Sequence, residues 1–131
     1  MANYVGGDKW IEDKEQITAA ANLVDKTFVN IDGTVPANAA KCTGGVLERD
    51  IAVNDYGIVK TGIVEVIATG TVTAGNFVEI LTSTFTTKDT TGVTGAGVQN
   101  ATTTNIFVGQ ALTSGSVNDT VLVRTKHGVN V

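Results

Sequence analysis

Residues 53–61 of this 131-residue chain, Val-Asn-Asp-Tyr-Gly-Ile-Val-Lys-Thr, align without gaps with residues 117–125, Val-Asn-Asp-Thr-Val-Leu-Val-Arg-Thr. Gly45 and Gly109 keep the same offset, eight residues ahead of the shared Val. A second pair precedes this one. Phe28-Val29-Asn30-Ile31 resembles Phe77-Val78-Glu79-Ile80, each behind a turn-like segment, Val24-Asp25-Lys26-Thr27 and Thr73-Ala74-Gly75-Asn76. Blocks that recur in the same order describe a chain built from two copies of one unit. The first pair of blocks is 49 residues apart and the second 64, so the second copy carries 15 extra residues. They fall within about residues 86–104, where Thr86 to Gly97 is rich in Thr and Gly and reads as an inserted surface loop or ribbon.

Val, Ile and Thr make up more than a third of the chain. Such β-branched side chains are stiff at χ1 and suit a pleated, half-buried surface. Fifteen Gly supply turns and the single Pro interrupts little. The fold class expected is all-β, a small barrel or sandwich with an internal two-half repeat and an N-terminal arm. Residues 17–131 form its single domain, with halves of about 17–61 and 66–125. Strands are expected near 17–21, 26–32, 44–49, 57–61, 62–69, 76–82, 106–112 and 120–126. Asn54-Asp55 and Asn118-Asp119 suit tight turns, because their short side chains bond local backbone and tolerate positive φ. In Gly62–Ile67 either Ile63 and Ile67 or Val64 and Val66 face the core. Glu65 assigns the Ile63 and Ile67 face to solvent or to a partner.

Residues 1–16 differ in character. Asp8, Lys9, Glu12, Asp13, Lys14 and Glu15 surround the only Trp of the chain. Tyr4, Val5, Trp10 and Ile11 follow no helical spacing, so this stretch reads as an arm. Its apolar residues are the expected contacts with a partner or a neighbouring subunit, since aromatics anchor interfaces.

Chemistry is sparse. One Cys, Cys42, excludes an intrachain disulfide and a multi-Cys metal site, and it suits a reducing cytoplasm. One His, His127, excludes multi-His zinc sites. The Gly92–Gly97 run lacks the Lys and the strand-to-helix setting of a phosphate loop. Asp55 and Asp119 are explained by the turns in which they recur. No enzyme activity, cofactor or metal is therefore expected. A net charge of −4 without a basic cluster disfavours nucleic acid as a partner. No apolar stretch approaches the roughly 18 residues of a membrane helix, and no secretory signal opens the chain.

Four pairs of segments carry a resemblance to small tailed-phage proteins of head-gene clusters. Ile17-Thr18-Ala19-Ala20-Ala21-Asn22-Leu23 with Thr27-Phe28-Val29-Asn30-Ile31-Asp32-Gly33 resembles their first strand pair. Gly45-Val46-Leu47 with Val53-Asn54-Asp55 resembles their turn region. Gly62-Ile63-Val64-Glu65-Val66 with Thr73-Ala74-Gly75-Asn76-Phe77-Val78 resembles their central strands. Val108-Gly109-Gln110-Ala111-Leu112-Thr113 with Asn118-Asp119-Thr120-Val121-Leu122-Val123-Arg124 resembles their C-terminal signature. The likeness covers residues 17–126, and departs where Asn76 and Asn118-Asp119 replace the usual Gly-Asp turns. It implies a capsid decoration, or cement, protein. Such proteins bind the outside of an assembled shell, often as trimers, so the resemblance implies a homotrimer that binds the major capsid protein on the virion exterior, with the host cytoplasm its location during assembly.

The Thr/Gly-rich loop supports an alternative, a binding module such as a head-fibre base or a carbohydrate-binding adhesin. Tyr4, Trp10 and Tyr56 are then the aromatics available for stacking on sugar rings. The lack of catalytic groups generates the first test. Cys42→Ala and His127→Ala should bind shells as the parent does, measured by co-sedimentation with purified capsids.

Overall fold

The structure is a computed structural model, and it describes residues 13–37, 44–87, 90–102 and 107–125. Among these there is no helix. Nine strands form one antiparallel sheet: β1 (Asp13–Thr18), β2 (Phe28–Val29), β3 (Gly45–Leu47), β4 (Tyr56–Thr61), β5 (Ile63–Ile67), β6 (Phe77–Phe85), β7 (Val93–Asn100), β8 (Gly109–Ala111) and β9 (Thr120–Thr125). Their order across the sheet is β1-β4-β3-β2-β7-β6-β8-β9-β5. The all-β class expected from β-branching and turn residues is the class observed.

The repeat governs strand register. Ile17 pairs with Gly57 and, at the matching offsets, Val66 pairs with Val121. Phe28 pairs with Val46, and Phe77 with Gln110. Val46 pairs with Lys60, and Gln110 with Arg124. Four strands of one half, β1-β4-β3-β2, thus correspond to β5-β9-β8-β6 of the other. The turns repeat as well. Asn54 and Asn118 have φ of 73° and 76°. Asn54 N donates to Ala19 O and Asn118 N to Ala68 O, each at 2.8 Å. Ala19 N donates to Asp55 O at 2.9 Å, and Ala68 N to Asp119 O at 2.8 Å. Asn is the non-Gly residue best suited to this left-handed conformation. An earlier turn shows the same substitution logic: Lys26 has φ 61° and its repeat mate Gly75 has φ 92°.

Each half buries its own core. Ile17, Ala19, Leu23, Val29, Leu47, Ile51 and Val59 form the first. Six of the seven mates, Val66, Ala68, Val72, Val78, Ala111 and Val123, lie in the second, and the mate of Ile51 is Gly115. Alternation within a strand sets these cores on opposite sides of the sheet. Val29 belongs to the first core, whereas its neighbour Phe28 faces the second. Both β2 and β6 are antiparallel to β7, and so parallel to each other. Parallel strands with exchanged faces are what a two-fold axis along the strand direction produces.

Residues 86–104 pair as a ribbon with β6 through Val93–Asn100, which is largely buried rather than at the surface. They contain β7, a central strand with Ala96 and Val98 fully buried. It pairs with β6 from Val78↔Asn100 to Phe85↔Val93, and on its other edge Ala96 pairs with Phe28. Gly95 and Gly97 read as loop residues, but neither has a positive φ. They serve close packing instead. A Cβ on Gly95 would stand 2.8 Å from the Phe85 ring, and one on Gly97 2.7 Å from Ile67 O. Ala68 also forms a parallel bridge to Val98, which closes the second half on itself.

Other boundaries shift for local reasons. The first strand starts at Asp13 rather than Ile17, so residues 13–16 of the expected arm pair with β4. Only Phe28 and Val29 of the stretch 26–32 are strand, because Lys26 takes a positive φ and Asn30 starts a turn closed by Gly33 N to Asn30 O at 2.9 Å. In that turn Thr34 donates to Asp32 Oδ1 from its hydroxyl and its amide, at 2.6 and 3.1 Å, which holds the Asp32 carboxyl below its ordinary pKa. In β5, Val64 and Val66 are the buried pair, and Ile63 and Ile67 share the opposite face with Glu65.

The positive φ at Asn118 yields a stability prediction. Asn118→Val should lose about 1–2 kcal/mol by placing a β-branched residue in the left-handed region. Asn118→Gly should stay within a few tenths of the parent. Urea denaturation of both variants measures the difference.

Candidate functional site: the open outer face of the second half

The repeat supplies an internal control on the surface. A feature present in both halves can be attributed to the fold, whereas one confined to a single half is not required by it. One row of side chains crosses the outer face of the first half: Lys14, Lys60, Val46 and Phe28. Its counterpart across β5-β9-β8-β6 is Ile63, Arg124, Gln110 and Phe77. The strand register is the same, but the surroundings are not. Phe28 and Val46 are 0% and 1% exposed, because β7 and β5 fold the second core over them. Phe77 is 52% exposed and rests against Phe107, with ring centroids 4.6 Å apart and planes at 37°.

The outer side of the second half is accordingly the more apolar. Ile63 and Ile67 stand where the first half has Lys14 and Thr18. Leu122 adds to it at 36% exposure, although its mate Ile58 is as exposed in the first half at 38%, so the contrast rests on Phe77, Ile63 and Ile67. Between the halves lies a groove of about 580 Å³ whose apolar lining includes Val46, Ile63 and Leu122. Its lining carries partly exposed ion pairs, Lys60–Glu48 at 3.3 Å and Lys26–Asp25 at 3.3 Å, and Lys14 reaches Glu48 at 3.8 Å. Exposed pairs of this kind add little stability. They set a pattern of charge around apolar contacts, the arrangement of a protein-docking surface with a polar rim.

Tyr4, Val5, Trp10 and Ile11, the contacts expected from sequence, lie outside the described residues, as do Cys42 and His127. Sequence reasoning did not single out Phe77 or Phe107. The signal lay in the repeat, since Phe77 mates with Phe28, but identical local sequence carries no information on what covers a strand. Among the described residues no three His, Cys, Asp or Glu side chains converge as metal ligands.

The Phe pair gives a differential test. Phe28→Ala should cost about 3–5 kcal/mol in folding stability, the range for a buried aromatic. Phe77→Ala should cost less than about 1 kcal/mol, as an exposed side chain does. Denaturation midpoints of the two variants compare identical substitutions at matched positions.

No protein-family model matches the chain, and no curated protein does. Among solved structures it is similar to the head fibre gp8.5 N base of bacteriophage phi29. The two are 14% identical, with a TM-score of 0.54, over 92% of this chain and 98% of that one. At that identity the likeness concerns architecture, and it spans almost the whole of both chains: this chain shares its fold with the fibre-base domain.

Proposed function

We propose that the protein is a structural component of a tailed-phage head, bound to the outside of the capsid. The observation that carries this reading is the near full-length fold likeness to a phage head-fibre base. The sequence resemblance to capsid decoration proteins, noted from different features, leads to the same part of the virion. A decoration role makes the major capsid protein the partner and the homotrimer the working state, in which avidity multiplies weak contacts. The outer face carrying Phe77, Ile63 and Leu122 is the surface we assign to that contact. Residues 1–12, with Tyr4, Val5, Trp10 and Ile11, supply further apolar groups whose burial is worth roughly 25 cal/mol per Å² before ordering costs.

A second reading, the base of a head fibre, is favoured by the identity of the matched structure. The two differ in what lies above the domain: a cement protein ends at the shell, whereas a base carries a fibre. Imaging virions with and without the protein decides between them by density over the shell.

Capsid co-sedimentation tests the attachment itself. Removal of residues 1–12 keeps every residue of β1, and it should weaken binding more than it lowers the melting temperature. Phe77→Asp should likewise reduce binding without loss of folding. Shells that retain both variants as tightly as the parent would refute attachment through these groups.

A further inference from the structure

The internal control also isolates a pocket beside the first Val-Asn-Asp turn. It measures about 410 Å³ and is lined by Arg49, Asp50, Ile51, Ala52, Asp55 and Tyr56. The repeat mates of these residues are Thr113, Ser114, Gly115, Ser116, Asp119 and Thr120. The second half therefore builds the same turn without an arginine, without the tyrosine and with one carboxylate fewer. The fold does not need them.

Hydrogen bonds sharpen the contrast. Asp25 N donates to Asp50 Oδ1 at 2.7 Å, and at the matching place Ala74 N donates to Ser114 Oγ at 2.9 Å. A hydroxyl thus meets the structural requirement, and Asp50 keeps a second oxygen beyond it. Asp119 Oδ2 is occupied by Ser116, which donates from its amide at 2.9 Å and its hydroxyl at 3.2 Å. Position 52 is Ala, which has no such hydroxyl, and the Asp55 carboxylate accepts no hydrogen bond among the described residues. Nor does the Arg49 guanidinium have a hydrogen bond or ion pair among them. Tyr56 is 64% exposed, and Ile51, 7% exposed, gives the pocket an apolar floor. That floor is held against Gly57, where a Cβ would come within 2.6 Å of Ile51 Cδ1.

We infer that this pocket binds a saccharide. Carboxylates and a guanidinium bond vicinal hydroxyls in pairs, the carboxylates accepting and the guanidinium donating. An exposed aromatic ring offers the flat apolar surface on which the C–H face of a pyranose packs. Small-ligand sites combine such a floor with a few convergent polar groups. The chemistry required is a neutral sugar ring with adjacent hydroxyls, as on glycans of bacterial surfaces. This inference does not depend on capsid attachment, and the test uses the isolated protein.

The full chain is applied to an array of bacterial surface glycans, and the strongest hit is titrated by calorimetry beside the trimer of N-acetylglucosamine. Tyr56→Ala and Arg49→Ala should each weaken that binding roughly tenfold or more. The repeat-mate variant Thr120→Ala should bind as the parent does. All three should melt like the parent, because half 2 folds with the smaller residues. Two results overturn the proposal: no saccharide binds, or the one that binds does so equally well to Tyr56→Ala and Arg49→Ala.

Discussion

β7 holds the two halves together. Its Ala96 pairs with Phe28 on one side and with Thr82 of β6 on the other. Small residues make this possible. Gly95, Ala96 and Gly97 let the Phe85 ring, Thr69 and the backbone at Ile67 approach a strand flanked on both edges. With Phe28 seated there, one two-residue strand contributes to both cores, Phe28 to the second and Val29 to the first. Val35 packs against both as well. Without β7 each half would be a four-stranded unit with a core of a few Val, Ile and Leu side chains, a size at which burial barely offsets chain entropy.

The same strand breaks the symmetry of the surface. Duplication alone would give two equivalent outer faces. Because β7 and β5 bring the second core over β2 and β3, the first outer face loses Phe28 and Val46 to the interior. The second keeps Phe77 and Gln110 at the surface, beside Ile63 and Leu122. A duplicated fold thereby gains one apolar face without adding a new element to carry it. The turns diverge in a complementary manner. Backbone bonds at Asn54 and Asn118 agree to about a tenth of an ångström, yet the side chains around them differ in charge and in aromatic content. Geometry is retained where the chain reverses, and chemistry varies where side chains reach solvent.

Much of the architecture could be read from residue order. The match of 53–61 to 117–125 anticipated equivalent turns, and the offsets of 49 and 64 anticipated the common register of the strand pairs. Local sequence suffices there because Asn at positive φ and alternating β-branched residues act through nearest neighbours. The 86–104 segment reads as a surface loop or ribbon, and it holds a buried central strand, because glycine has two uses, turning and close approach, and only the packing of neighbours distinguishes them. The contacts expected at Tyr4, Val5, Trp10 and Ile11 fall outside the described residues. The surface that emerged instead, around Phe77, was hidden by its identity to a buried counterpart.

The β class, the duplication, the left-handed turns and the position of the extra 15 residues are legible in residue order, since each depends on local conformational preference or on counting. Long-range packing settles that those residues form the strand joining the halves. It also decides that Phe28 is buried while Phe77 is exposed. Both outcomes rest on contacts between segments far apart in the chain: Ala96 meets Phe28 across more than sixty residues of sequence. Burial is a property of what a side chain meets, and two identical Phe-Val dipeptides meet different neighbours.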